Sequence, residues 1–454
     1  MTDSIQIRLP EAVSGIIETL QRAGFEAYAV GGCVRDSILG RCPDDWDITT
    51  SAKPEQVKAL FKRTVDTGIQ HGTVTVLKDR AGYEVTTYRI DGEYEDARHP
   101  RNVTFTASLE EDLKRRDFTI NAMAYNDEEG LVDIFGGLAD MENKIIRCVG
   151  NAEERFTEDA LRMMRAVRFS AQLGYRIEEE TKAAVCKLSK TLSKISAERI
   201  RTELVKLLCS GHPERIRTCY ETGMTAVFLP EFDRMMETGQ NNPHHCYSVG
   251  EHTICALSHV EPDKALRLAI LFHDMGKPIT KSTDEEGVDH FYGHAQESAR
   301  IAKEAMRRLK FDNDTMDRVA RLVAAHDVRI EPGAKYMRRA LNRLGEDLFP
   351  ALFDVKEADM KAQSGYCRCE KEASLDGMRR EYEEVIRNRD CVSLKELAVN
   401  GNDLIAAGMP PGKGIGTVLK ALLDQVLEDP ALNTKEYLLW QAQQLAGNAL
   451  RKEN

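Results

Sequence analysis

No stretch of this chain approaches the roughly 20 consecutive apolar residues that a membrane-crossing helix needs, so a helical membrane protein is excluded. Low-complexity tracts and internal repeats are also missing, which argues against a disordered linker protein or a solenoid. The segment Met1 to Pro10 lacks a basic run followed by an apolar core, so no signal peptide is expected. The 11 cysteines have no regular spacing, and without an export signal they read as reduced thiols in a cytoplasm. Cys367 and Cys369 are the only close pair; no second pair at finger spacing follows, and a structural zinc is not expected there. Positive charge is not in excess either, since the net charge is −11. That does not exclude nucleic acid, because binding depends on where the cations sit. Between Lys144 and Arg176 there are seven basic residues and four acidic ones, a local excess that suits a phosphate site or a salt-bridged helix surface.

What is present suits a soluble protein of three or four domains: 454 residues, 42% apolar and 30% charged. The first third mixes elements. Glu11 to Ala23 has helical periodicity, and short β-type runs follow at Ala27–Val30, Trp46–Thr49, Val74–Leu77 and Glu84–Arg89. Lys53 to Lys62 reads as a helix. After Phe156 the pattern is helical almost throughout, with helices expected over Glu158–Leu173, Glu178–Ser189 and Ala197–Leu208. The expected fold class is therefore α+β, with a mixed head followed by mostly helical regions. Boundaries fall at 1–150, 151–240, 241–390 and 391–454.

The strongest chemical signal is AVGGCVRDSILGRCPDDWDITTS. Asp45 and Asp47 flank Trp46 on an expected strand, where alternation sends both carboxylates to one face. Two hard oxygen donors on one face suit a pair of Mg²⁺ ions, which activate a hydroxyl nucleophile and stabilise leaving pyrophosphate. Upstream, Gly31-Gly32 follows an apolar strand and precedes a helix at Val34 to Leu39. Glycine permits close backbone approach, and a helix N-terminus attracts phosphate. Arg35 in the first turn is within reach of a triphosphate oxygen. Either feature alone is usually a turn or a solvated acid; it is their joint spacing, with Arg35 between, that points to a functional site. Glu84 is a candidate third carboxylate, equally explained as a solvated strand residue.

A second group begins with LKRRDFTINAMAYN, where Arg116 reads as a phosphate or base ligand and Asp117 as the N-cap of a helix. In RFTEDALRMMRAVRFSAQLGY, Thr157 is expected to cap a helix beginning with Glu158 and Asp159. Asp159 and Arg162 then share one face, and Arg165 and Arg168 continue the row. A salt-bridged surface helix is the plain alternative. The functional one has a chemical logic. Cytosine and adenine both present an amino donor beside a ring-nitrogen acceptor, so one aspartate and one arginine fit both. Uracil and guanine present the reverse order and leave buried groups unpaired, at about 1–3 kcal/mol each.

The motifs GGCVRD, DWD, RRDFTINA, EDALR and AERIRTEL occur in this order between Tyr28 and Leu208. The stretch resembles the polymerase-beta-like nucleotidyltransferases, and within them the class II CCA-adding enzymes and bacterial poly(A) polymerases. The resemblance implies metal binding by Asp45 and Asp47. It implies nucleotide contacts by Gly32, Arg35, Arg116, Asp159, Arg162, Arg165 and Arg168, with CTP and ATP as substrates. The tail segment ELAVNGNDLI resembles the part of such enzymes that holds the tRNA elbow, implying the acceptor and T arms of tRNA as partner, with neither membrane nor DNA. The loop Asp91 to Glu111 is full length, which in this family favours complete CCA addition, and its Arg98, His99 and Arg101 are candidates for the switch from C to A.

A third group centres on LAILFHDMGKP. His252 precedes His273-Asp274, and His294, His326 and Asp359 follow. Imidazoles and carboxylates in this mixture suit a divalent metal that activates water for phosphate-ester hydrolysis. The ordered set resembles the HD phosphohydrolases, which implies metal binding by His252, His273, Asp274 and Asp359. Two competing functions follow. A poly(A) polymerase would share the transfer motifs, and a phosphohydrolase would use the head only to bind RNA. The CCA-type tail and the intact Asp45, Asp47, Asp159 and Arg162 oppose them.

Overall fold

Val13, Ile16, Ile17 and Leu20 recur at helical spacing and form the buried face of α1 (Glu11–Arg22) in the computed structural model, which describes residues 5–91 and 103–452. Arg98, His99 and Arg101 lie outside the described residues. After Gly24, whose φ of 87° breaks the helix, the apolar run AYAV becomes β1 (Ala27–Val30), buried along its whole length. The other strands of its sheet are β2 (Asp47–Thr50), β3 (Thr64–Gly68), β4 (Thr73–Lys78), β5 (Ala81–Thr87), β6 (Ala124–Asn126) and β7 (Gly130–Val132). Their spatial order is β3-β4-β5-β2-β1-β6-β7. Pairing is antiparallel except between β2 and β5. The helices α2 (Gly32–Ile38), α3 (Pro54–Leu60) and α4 (Leu109–Lys114) belong to this part. Two expectations shift. β2 starts at Asp47, so Asp45 lies in the irregular lead-in rather than on the strand. No α-helix follows Asp117; a short 3₁₀ turn over Thr119–Asn121 stands there, with Phe118 at its cap position.

The chain divides into two compact units, Met1–Asp233 with Arg308–Phe311, and Arg234–Arg307 with Asp312–Asn454. The first unit continues past its sheet as helices α5 (Ala152–Glu158), α6 (Leu161–Leu173), α7 (Glu179–Leu188) and α8 (Ala197–Leu208). The continuous helix expected over Glu158–Leu173 is therefore broken. Asp159 sits between α5 and α6 in extended backbone, φ −138° and ψ 103°. Met163, Met164, Ala166 and Val167 bury the inner face of α6, and Gly174 in left-handed conformation ends it.

In the second unit α9 (Val249–Leu257) and α10 (Lys264–Phe272) lead into the His-Asp segment. Every residue of α10 from Ala265 to Phe272 is buried. Each large apolar side chain there contributes about 1.5–3 kcal/mol of burial energy, enough to hold a cluster of polar groups beside it. Helices α11 (His294–Arg308), α12 (Asn313–Ala325) and α13 (Phe349–Ala362) follow. A separate core near the C-terminus gathers Leu397, Val399, Leu404, Leu422, Leu423, Val426, Leu427 and Leu438. Among the described residues no helix is long and apolar enough to cross a membrane.

Candidate active site

Parallel pairing of β2 with β5 sets Asp47 directly beside Glu84. In-register neighbours project from the same face, so Glu84 joins the two aspartates as a third carboxylate. Partial burial and repulsion by Asp45 raise Asp47 above the ordinary aspartate value, against the pull of Arg116. Partial burial, Asp47 and Asp45 raise Glu84 in turn. Three acids set close enough to repel one another are a donor set fitted to divalent ions.

Arg116, which acts on Asp47, also lies against the glycine turn. Gly31 has φ 84°, and a Cβ there would come within 3.0 Å of an Arg116 nitrogen, so glycine gives Arg116 its room. Arg35 in α2 is buried and donates to Asn121 Oδ1 at 2.5 Å and to Asp36 Oδ2 at 2.8 Å. Behind them lies Asp112, fully buried, which sequence reasoning missed. It accepts from the Thr49 hydroxyl at 3.0 Å and from Arg115 at 2.8 Å, with Arg116 at 3.5 Å. Thr49 is two residues beyond Asp47 and so projects from the same face of β2, and Asp112 ties the RRD arginines to the strand that carries Asp47. Asp112 lies in an acidic first turn capped by Ser108, a pattern that reads from sequence only as helix capping.

The arginine row is held differently from the expected one. Asp159 Oδ2 accepts from Arg199 at 2.8 Å, and its Oδ1 accepts the Leu161 N–H at 3.0 Å. Arg162 donates to Glu158 Oε2 at 2.6 Å and to the carbonyl of Arg115 at 2.9 Å. Asp159 and Arg162 are thus near in sequence but not paired with each other. Asp117 is no helix cap. Burial alone would raise its carboxyl, but Arg165, with Asn121 and Arg162, outweighs burial and lowers it to about 2. Arg165 donates to Asp117 Oδ2 at 2.7 Å, and Arg168 to Glu203 Oε2 at 2.6 Å. Phe169 carries the guanidinium groups of Arg35, Arg165 and Arg168 at 5.0, 5.3 and 3.6 Å from its ring centre.

In the second unit the His-Asp residues do converge. Asp274 is central and buried. Its Oδ2 lies 3.2 Å from His273 Nε2 and 3.8 Å from His252 Nε2, and its Oδ1 lies 3.5 Å from His294 Nε2 and 3.8 Å from His326 Nε2. Asp359 Oδ1 accepts from His252 Nε2 at 2.8 Å and lies 3.7 Å from His273 Nε2. The Nδ1 of His273, His294 and His326 each donate to a carbonyl three residues upstream, at 2.7, 2.8 and 2.7 Å. That bond fixes the ring and turns Nε2 inward, as metal-ligating histidines require. His273 Nε2 is buried without a hydrogen-bond partner. An orphaned imidazole nitrogen aimed at two carboxylates fits a cation between them. Two such groups share Asp274: His252, His273 and Asp274, and Asp274, His294 and His326. A cleft of about 680 Å³ opens beside them, lined by Asp359, His326, Lys356, Lys371, Arg329 and His244.

Residues 27–147 match the family profile of the poly(A) polymerase head domain, and 174–236 that of the RNA and SrmB-binding site of polymerase A. Residues 282–442 match tRNA nucleotidyltransferase domain 2. The chain is 38% identical over 437 residues to the CCA-adding enzyme of Lactiplantibacillus plantarum, covering 94% of this chain and 95% of the relative. It is 37% identical over 434 residues to that of Ligilactobacillus salivarius, covering 95% of each. Its structure is similar to the Bacillus stearothermophilus CCA-adding enzyme in complex with CTP, with TM-score 0.70, 30% identity and 98% of both chains covered. The fold also matches the Thermotoga maritima CCA-adding enzyme complexed with tRNA, with TM-score 0.59 and 22% identity over 97% of this chain and 100% of that one.

Proposed function

This chain belongs to the CCA-adding enzymes, tRNA nucleotidyltransferases that build CCA on the 3′ end of tRNA from CTP and ATP, and we propose that Asp45, Asp47 and Glu84 form its catalytic centre. The observation that carries this is the register of Asp47 against Glu84 beside Asp45, with Arg116 near both Asp47 and the Gly31 turn. Mg²⁺ held by these acids would supply Lewis acidity at the reacting phosphate. The tRNA 3′ hydroxyl attacks the α-phosphate of CTP or ATP, a new phosphodiester forms, and pyrophosphate leaves. Gly32 and the N-terminus of α2 approach the triphosphate, and Arg35 and Arg116 offset its charge. Asp159 accepts from the base amino group and Arg162 donates to the ring nitrogen, which selects C and A over U and G. Arg165 and Arg168 support that pocket through Asp117, Glu203 and the Phe169 ring.

Four working regions follow from this reading: a nucleotidyltransferase head at 1–150, a nucleotide-selecting neck at 151–240, an HD region at 241–390 and a tail at 391–454 that grips the acceptor and T arms. The protein works in the cytoplasm. The test is incubation with Mg²⁺ and tRNA lacking CCA. CTP alone should give two additions, and CTP with ATP should give CCA and then a stop. Continuous A addition to unrelated RNA would make it a poly(A) polymerase, and no addition would sink the transfer reading.

A second activity is favoured by the orphaned Nε2 of His273. His252, His273 and Asp359 would hold one divalent ion, His294 and His326 a second, and Asp274 both. Such ions would supply Lewis acidity and an activated water for hydrolysis of a phosphate ester. Lys356, Lys371 and Arg329 line the adjoining cleft and suit an anionic substrate. Metal analysis of the purified protein, with turnover of a 2′,3′-cyclic nucleotide, tests this; a metal-free protein inert toward phosphate esters after metal addition would exclude it.

A further inference from the structure

The imidazoles of His252, His273, His294 and His326 are each tied through Nδ1 to a carbonyl, that of His252 to Ala362 at 3.3 Å. A further imidazole beside them, His245, is not. Its ring meets that of His252 edge-on, with centres 5.2 Å apart, and it lines the cleft with His326 and Asp359. Asp274 and Asp359, the carboxylates of the candidate ion sites, both act on it electrostatically. Its Nδ1 is buried and, among the described residues, has no hydrogen-bond partner. The backbone around it is held on both sides. The Asn241 N–H donates to Asp289 at 2.7 Å, the Ser364 hydroxyl to the Pro243 carbonyl at 2.6 Å, and the Ser364 N–H to the His244 carbonyl at 2.9 Å. Ser248, three residues on, caps α9.

A metal-ligating histidine is oriented by a hydrogen bond on its other ring nitrogen. His245 lacks that bond, so it is not placed as a ligand. A buried polar atom without a partner is destabilising, and such an atom in a native site calls for a ligand that completes it. With no tether, the ring is free to turn a nitrogen to the cleft.

We propose that His245 is a further catalytic residue of the second unit, donating an imidazole N–H to the leaving oxygen of the phosphate ester. This rests on the hydrolase reading of the His-Asp cluster. Water attacks phosphorus from the side where Asp274 and Asp359 converge. In-line displacement then sends the leaving oxygen to the opposite side, into the cleft that His245 lines. The water oxygen bonds to phosphorus, the ester bond from phosphorus to oxygen breaks, and its electron pair passes to the leaving oxygen. The attacking water loses a proton to solvent, and the leaving alkoxide takes one from solvent. An N–H at that oxygen offsets its charge as the charge develops. The imidazole itself keeps its proton throughout.

The experiment uses the full chain and its variants H245L and H245N, each loaded with the divalent metal that the wild type binds. It measures kcat and KM for a 2′,3′-cyclic nucleotide and for bis-nitrophenyl phosphate, with bound metal and melting temperature beside them. An alkoxide needs help to leave, and nitrophenolate needs little. H245L is expected to lower kcat for the cyclic ester at least roughly tenfold, and kcat for the nitrophenyl ester by less than about threefold. Bound metal should be unchanged. The melting temperature should hold or rise, since the orphaned nitrogen is gone. H245N, which keeps a side-chain N–H, should recover part of the loss. Equal effects on both esters, or depleted metal in H245L, would overturn the proposal and spare the hydrolase reading. A metal-loaded wild type inert toward both esters would overturn that reading and the proposal with it. If H245L fails to fold, H245N decides: a greater loss on the cyclic ester supports the role, and equal effects overturn it.

Discussion

Single side chains carry the sharpest consequences. Asp45→Ala and Asp47→Ala should each lower CMP addition at least 1000-fold, about 4 kcal/mol of barrier, without changing the melting temperature by more than a few degrees. Glu84→Gln should cost activity too, because it removes the acid paired in register with Asp47. Asp117 makes a stability statement with a definite sign. Its carboxyl titrates lower in the folded chain, about 2 against an ordinary 3.8. Its ion pair with Arg165 therefore stabilises fully above pH 4 and is lost as pH falls toward 2. Asp117→Asn should lose about 2 kcal/mol at pH 7, with the deficit narrowing between pH 4 and 2, as read from denaturant melts at each pH. At this scale the glycine turn and the strand position of Asp47 were legible, because both follow local rules, whereas Asp45 lies ahead of the strand on which alternation would have placed it. Asp112 was not, because its bond to Thr49, 63 residues away, forms only in the folded chain, while Arg115 and Arg116 are merely its neighbours within a turn.

Elements depend on close approach where glycine stands. Gly31→Ala would put a methyl group 3.0 Å from Arg116 at a φ of 84°. It should raise the KM for both CTP and ATP at least tenfold, as Arg116 is displaced from the turn. Gly276 follows the His-Asp pair, and a Cβ there would meet the His294 carbonyl at 2.5 Å and the Ser298 nitrogen at 2.7 Å. Gly276→Ala should push α11 and its His294 away from Asp274, with about 1–3 kcal/mol of overpacking. Metal analysis should then find the ions depleted, and thermal melts a lower midpoint. Helical periodicity marked α1, α7 and α8 to within a residue or so. It failed at Asp159, where an acid that looks like a good first-turn residue instead caps α6 from outside.

The whole molecule consists of two compact units, and the functions proposed above assign one chemistry to each. Replacing His273 with alanine should reduce bound metal at least by half in elemental analysis. Addition of CMP and AMP, carried by the other unit, should stay within twofold of wild type. A parallel collapse of both activities would contradict this independence.

By itself the sequence determined most of the strand and helix pattern of the head and the set of His and Asp residues that converge on Asp274. Each of these is written in local periodicity or in the order of short motifs. Tertiary structure alone decided which charges pair. Arg199 takes Asp159, Glu203 takes Arg168 and Asp117 takes Arg165, across 35 to 48 residues of chain. It also decided that Asp274 faces two pairs of imidazoles at once. The physical reason is that an ion pair's partner is chosen by packing distance. Spacing along the chain governs only neighbours within a turn or a strand.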